Sequence, residues 1–233
     1  MTTDVRRAAG RFRTESDGIV SRHSFSFGSH YDPTNVGHAL LVAHNEDVVA
    51  PGSGYATHPH RDLEIVTWVL DGGLRHEDSR GSAGLVVPGL VQRLSAGSGV
   101  QHAERNDAAT GREVRFVQMW VRPDEPGGEP SYAQHDAGAE LAGGGLVPLA
   151  GGAAPVPLGA RGAALFGARL AASGTVTLPD APAVHLFLAR GGGDLEGAGP
   201  LDEGDAVRLD EAGPRRLVAG PRGCELLAWA MSP

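Results

Sequence analysis

Gly54-Tyr-Ala-Thr-His58-Pro-His60-Arg-Asp-Leu-Glu64-Ile-Val-Thr-Trp-Val-Leu-Asp71-Gly72-Gly73 is the stretch from which the fold can be read. Glu64–Asp71 is rich in β-branched and aromatic residues and stops at a glycine pair, the pattern of a buried strand. Leu74–Asp78 reads as its hairpin partner. Moving outward, residues 37–44, residues 84–87 before the Pro88-Gly89 turn, Leu90–Ser95 and Val114–Val121 also read as strands. No segment holds an apolar i, i+3, i+4, i+7 pattern over three turns. With 35 Gly and 16 Pro among 233 residues, turns are plentiful enough to separate many short strands. The expected class is all-β, of sandwich or barrel type.

Residues 124–161 are rich in Gly, Pro and Ala, and about 143–158 read as a linker-like loop. Strands resume at Ala163–Leu170 and at residues 175–178, 184–189, 206–209 and 225–230. The two halves match in outline. Glu64–Asp71 with Gly72-Gly73 corresponds to residues 183–190 with Gly191-Gly192. Pro88-Gly89 corresponds to Glu203-Gly204, and Val114–Val121 to residues 225–230. This predicts a duplicated barrel, with one unit over residues 1–123 and a second over 124–233.

Composition excludes several functions. The net charge is −8 with no basic block, so a direct nucleic-acid footprint is not expected. All 20 basic residues are Arg, and without Lys neither a Walker-A loop nor a pyridoxal Schiff base can form. There is no Gly-x-Ser-x-Gly elbow for a serine hydrolase. No apolar run is long enough for a membrane span. The segment from Met1 to Arg7 has no apolar stretch behind it and is not expected to act as a secretory signal. The lone Cys224 fits a reducing cytoplasm and a buried, inert thiol.

The chemistry gathers in the first half, which holds eight of the ten histidines. His58 and His60 stand at i, i+2, as do His102 and Glu104 after Gly97-Ser-Gly99. On strands, i and i+2 share a face. Two such pairs facing each other inside a barrel bring three imidazoles and a carboxylate to one point. That donor set suits Fe(II), Mn, Co, Ni, Cu or Zn. Burying the same four groups without a metal would carry a desolvation cost.

At these residues the sequence resembles a known family. Gly54-x₃-His58-x-His60-x₃-Glu64-x₇-Gly72 is similar to the first cupin motif. His58-Pro-His60, His76-Glu-Asp78 and Gly97-Ser-Gly99-Val-Gln-His102-Ala-Glu104 resemble the pirin signature. His23-Ser-Phe-Ser-Phe27 and Tyr31-Asp-Pro33 look like the bacterial quercetinase branch of that family. The likeness is dense over residues 11–122 and thin beyond. It implies a bicupin, two jelly-roll-like barrels in one chain, with one metal in the first. It also implies the ligands His58, His60, His102 and Glu104, with Fe(II) as the first choice of ion. In the pirin pattern Glu64 is not a ligand. The implied activity is that of a quercetin 2,3-dioxygenase, opening a flavonol with O₂ and releasing CO, with Glu104 as the base. Two other readings stand beside it: a metal- or redox-sensing regulator acting through a protein partner, and a cupin enzyme with another small substrate. The duplication aligns His58 and His60 with Thr177 and Pro179, and His102 and Glu104 with Val218 and Gly220. The second barrel is therefore expected to hold no metal.

Other residues carry weaker expectations. His76 reads as an exposed hairpin histidine that could instead line the cavity mouth. Gln118 reads as structural, with a ligand-bonding role as the alternative. Tyr55 and Thr57 flank the first histidine pair. Phe25 and Phe27 read as core, and Arg6-Arg7-x₃-Arg11-x-Arg13 as a solvated basic face.

Overall fold

The computed structural model describes residues 1–232. Along the chain come β1 (Thr2–Arg6), β2 (Phe12–Ser16), β3 (Ile19–His23), β4 (Leu41–Val49), β5 (Gly54–His60), β6 (Glu64–Asp71) and β7 (Leu74–Asp78). They are followed by β8 (Ala83–Val86), β9 (Leu90–Ser95), β10 (Val100–Asn106), β11 (Val114–Val121) and β12 (Ser131–Asp136). After a single helical turn, α1 (Gly138–Leu141), come β13 (Val147–Gly151), β14 (Ala163–Leu170), β15 (Thr175–Thr177) and β16 (Ala183–Leu195). The last are β17 (Gly199–Leu201), β18 (Ala206–Asp210) and β19 (Arg216–Met231). No helix among the described residues is long and apolar enough to cross a membrane.

Two large sheets share one plan. The first runs β12-β9-β6-β11-β4-β3-β2, and the second β1-β18-β16-β19-β14-β13. Position by position, β9-β6-β11-β4-β3 answers to β18-β16-β19-β14-β13. The outermost partner in each case comes from the other half of the chain. Strand β1 adds to β18, and β12 adds to β9. Strand pairing thus crosses position 123/124 twice. The first barrel closes with the sheet β5-β10-β7-β8. In the second, β15 and β17 pair with the far ends of β19 and β16, long strands that bend through both layers. Both units are β-barrels of jelly-roll type.

Alternation explains why the central strands read as unbroken apolar runs. On β6, Val66, Trp68 and Leu70 face a layer between the barrels, and on β11 so do Val117, Met119 and Val121. They meet Phe187 and Ala189 of β16 and Leu227, Trp229 and Met231 of β19. The intervening residues face barrel interiors: Val69 and Phe116 in the first, Leu186, Leu188, Leu226 and Ala228 in the second. A sheet buried on both faces has no polar side to show in its sequence. The second interior is packed with Val176, Leu195, Leu217 and Ala219. Val218 stands opposite Thr175, as His102 stands opposite His58. The sequence alignment to Thr177 is therefore displaced by one pleat.

Three other expectations are corrected. The strand read at residues 37–44 is β4, Leu41–Val49. It continues through Asn45, Glu46 and Asp47, whose run of polar residues imitates a strand end although all three are buried. The linker read at 143–158 contains β13, which pairs with β14 and buries Leu149 and Ala150. Arg11 does not lie on a solvated face: it is buried in an ion pair with Glu46 at 2.6 Å.

Trp229 tests the layer between the barrels. Its indole N–H points at Met119 Sδ across the seam, 3.1 Å away, and the side chain is fully buried. Trp229→Ala should cost about 3–5 kcal/mol of unfolding free energy in urea denaturation. A loss below about 1 kcal/mol would mean the two sheets do not share this core.

Candidate metal centre

Strands β5 and β10 run antiparallel, with His102 opposite His58 and Val100 opposite His60. A register shift after His102 then sets Glu104 opposite Tyr55. Such an irregularity re-aims the side chains that follow it. Gly54 permits the close approach. It lies at φ +157°, and a Cβ there would collide with the Glu104 carbonyl oxygen and the Arg105 backbone.

This pairing brings three imidazoles together. Ring centroids lie 4.4 Å apart for His58 and His102, 4.9 Å for His58 and His60, and 5.0 Å for His60 and His102. One ring nitrogen from each lies within 4.8 Å of the others. His58 Nδ1 donates to the Ala56 carbonyl at 2.7 Å, which leaves Nε2 with a free lone pair. His60 Nε2 and both nitrogens of His102 are buried with no hydrogen-bond partner. Burial, helped by the neighbouring imidazoles, pushes His60 down to about 4 and His102 to about 3. Both are neutral at physiological pH, the state that binds metals. Buried, partnerless, neutral imidazoles fit a transition-metal ion.

Glu104 meets this triad only through His102. Its carboxylate groups with His102 and His76 in a second, overlapping cluster. Both oxygens accept from Gln118 Nε2, at 3.0 and 2.8 Å, while Gln118 Oε1 accepts from the Trp120 indole at 3.0 Å. Burial raises the Glu104 carboxyl to about 7 against the pull of Gln118. His76 is fully buried rather than exposed at a turn. It pairs with Glu104 across β7 and β10, and its Nε2 lies 3.3 Å from Asp78.

A cavity of about 330 Å³ opens beside the centre. His58, His60 and Glu104 line it, and Phe27 and Trp120 form an apolar wall with their rings edge-on at 5.2 Å. Phe27 is thus a cavity residue, whereas Phe25 is core. Ser21, Asn45, Asp47 and Tyr55 add a polar part to its lining. Glu64 lies outside this site. It accepts from Ser95 at 2.7 Å, with Arg93 3.8 Å away. Cys224 is buried, its thiol raised to about 11 by burial. Thr57 is exposed.

Residues 3–121 match the family model for Pirin. The chain belongs to the pirin family. A Mycobacterium tuberculosis protein named provisionally as a quercetin 2,3-dioxygenase is 51% identical over 234 residues, covering 99% of this chain and 95% of that one. The quercetin 2,3-dioxygenase of Escherichia coli K12 is 41% identical over 130 residues, covering 56% of each. Among solved structures, the bacterial pirin YhhW of Escherichia coli in complex with nickel(II) superposes with a TM-score of 0.90 at 27% identity, covering both chains fully. This pirin therefore has the bicupin fold.

Sequence reasoning missed the polar wall of the pirin cavity. Asn45 and Asp47 lie in a run that imitates a loop. The available signal was the Val48-Val49 pair after it, which returns the run to strand character. Asp47 also gives a pH signature. Burial raises its carboxyl to about 6, although Ser21, Tyr55 and Arg11 all pull the other way. A carboxyl raised above its unfolded value favours folding when protonated. Its contribution is lost as pH climbs from about 4 to about 6, by up to about 3 kcal/mol. Asp47→Asn should therefore gain on the parent protein across that window and hold a constant lead above it. Urea denaturation from pH 4 to 7 measures this; parallel stability curves would overturn it.

Proposed function

We propose that this pirin is a metal-dependent dioxygenase of the quercetin 2,3-dioxygenase type, opening a flavonol ring with O₂ and releasing CO. One observation carries the reading: the three-imidazole cluster borders a cavity with one aromatic and one polar wall. The names of the Mycobacterium and Escherichia relatives support it.

His58, His60, His102 and Glu104 would hold one divalent ion, Fe(II) first, with Mn, Co, Ni, Cu or Zn accepted by the same donors. When bound, the ion supplies Lewis acidity that lowers the pKa of a substrate hydroxyl. Glu104 accepts the proton of the flavonol 3-hydroxyl. Because the carboxylate is buried, taking that proton relieves a desolvated charge. Gln118 holds Glu104 in position, and Trp120 fixes which way the Gln118 amide points. Phe27 and Trp120 lie against the planar rings, and the hydroxyls of Ser21 and Tyr55 with Asp47 meet the ring hydroxyls. The same walls keep water from the reacting carbon.

O₂ uptake with quercetin, measured after loading with each metal in turn, tests the reading. Uptake with CO release is expected with at least one ion. His102→Ala should lose both bound metal and uptake. Glu104→Ala should reduce turnover by about 10²-fold or more, beyond its loss of metal. Wild-type turnover in Glu104→Ala would refute the base assignment, and no uptake with any bound metal would refute the activity.

A further inference from the structure

A second, smaller cavity of about 150 Å³ lies at the seam between the halves. Strands β1 and β18 border it with Val5, Arg6, Ala206 and Arg208, the first barrel adds Ser24 and Asn35, and β16 adds His185. It falls below the roughly 300 Å³ at which pockets for drug-sized ligands begin, so its occupant must be small.

Its charges do not balance. Arg6 pairs with Asp4, Arg7 with Asp205 and Arg11 with Glu46, each at 2.6–2.7 Å. Arg208 is 6% exposed and has no such partner. One terminal nitrogen donates to the Ser24 carbonyl at 3.2 Å and to Asn35 Oδ1 at 2.6 Å. Its guanidinium carbon lies over the Phe25 ring at 4.5 Å, a cation–π contact that supplies no counter-charge, and its Nε is buried without a partner. Among the described residues no carboxylate oxygen comes within ion-pair distance of it. Asp4 and Asp210 bring the nearest negative charge, and both are engaged, Asp4 by Arg6 and Asp210 by Thr2 and His38. Beside Arg208 stands His185, wholly buried, with both ring nitrogens unpartnered.

A buried guanidinium without a counter-charge is costly, and a buried imidazole with no partner adds to the cost. Both are relieved by one occupant. A planar guanidinium matches two oxygens of a carboxylate or phosphate, and a neutral imidazole has one N–H to donate. We propose that this seam cavity binds one small oxyanion of the carboxylate or phosphate class, held by Arg208 and His185. The site is separate from the candidate metal centre and does not depend on the dioxygenase reading. Because its walls come from both halves of the chain, an occupant favours the docked arrangement over any opened one.

Titration calorimetry of the full chain with sodium formate, acetate and phosphate, in a chloride background of fixed ionic strength, tests this. Saturable binding of one oxyanion per chain is expected. A carboxylate response without a phosphate response identifies the class as carboxylate, and the converse as phosphate. Arg208→Met and, separately, His185→Phe should each weaken binding at least tenfold, while quercetin-dependent O₂ uptake stays unchanged. Where phosphate is the oxyanion that binds, a selenate soak of wild-type crystals reads the site without any variant, with an anomalous peak expected between Arg208 and His185. No saturable binding of any probe at millimolar concentration, or unchanged affinity in a folded Arg208→Met, would overturn the proposal.

Discussion

The structure depends on an apolar layer between two sheets that are each buried on both faces. Val66, Trp68 and Leu70 on one side and Leu227, Trp229 and Met231 on the other belong to neither barrel's interior. At about 1.5–3 kcal/mol for each large side chain removed from water, this layer is a major source of stability. It frees the first barrel from filling its interior with hydrocarbon. That barrel can hold His58, His60, His102, Glu104, Gln118 and Asp47 at its centre, a set that would otherwise weigh against folding. The interior cluster of the second barrel is instead packed with Leu and Val. One duplicated plan thus carries polar groups at the centre of one barrel and an apolar cluster at the centre of the other.

Charges reinforce the seam. Glu46 sits between Arg11 and Arg115, and Arg115 reaches over to Glu203 of the second barrel at 2.7 Å. Trp68 donates to Glu225 at 2.7 Å, and Arg169 and Arg190 gather around the same carboxylate. Glu46 and Glu225 each have at least one guanidinium beside them, the condition under which a buried charge becomes tolerable. Arg208 differs from these seam arginines: among the described residues no carboxylate lies within ion-pair distance of it.

Much of this was legible in the sequence. Glu64–Asp71, Leu74–Asp78, Leu90–Ser95, Val114–Val121 and Ala163–Leu170 appear where short runs are set off by glycine-containing turns. The i, i+2 spacing of His58 and His60 was enough to place both on one face of β5. What could not be read was whatever depends on partners distant in sequence. Arg11 looks solvated until Glu46 is beside it. His76 looks like a turn residue until Glu104 pairs across from it. The exchange of β1 and β12 leaves no local trace, because both are short and half exposed. The offset of Glu104 from the three histidines arises from a register shift that spacing alone does not encode.

That exchange of strands bears on how the chain is made. The side chains of Thr2 and Asp210, bonded at 2.8 Å, are 208 residues apart. At about 5–20 residues per second, synthesis leaves β1 without its partner for at least about ten seconds. During that interval it is an unpaired strand on a nascent chain, a template for any other edge nearby. Its composition suits the wait: Thr2-Thr-Asp-Val-Arg6 carries two charges and a single large apolar residue. A strand that must remain soluble before it is paired is well served by threonines and opposite charges.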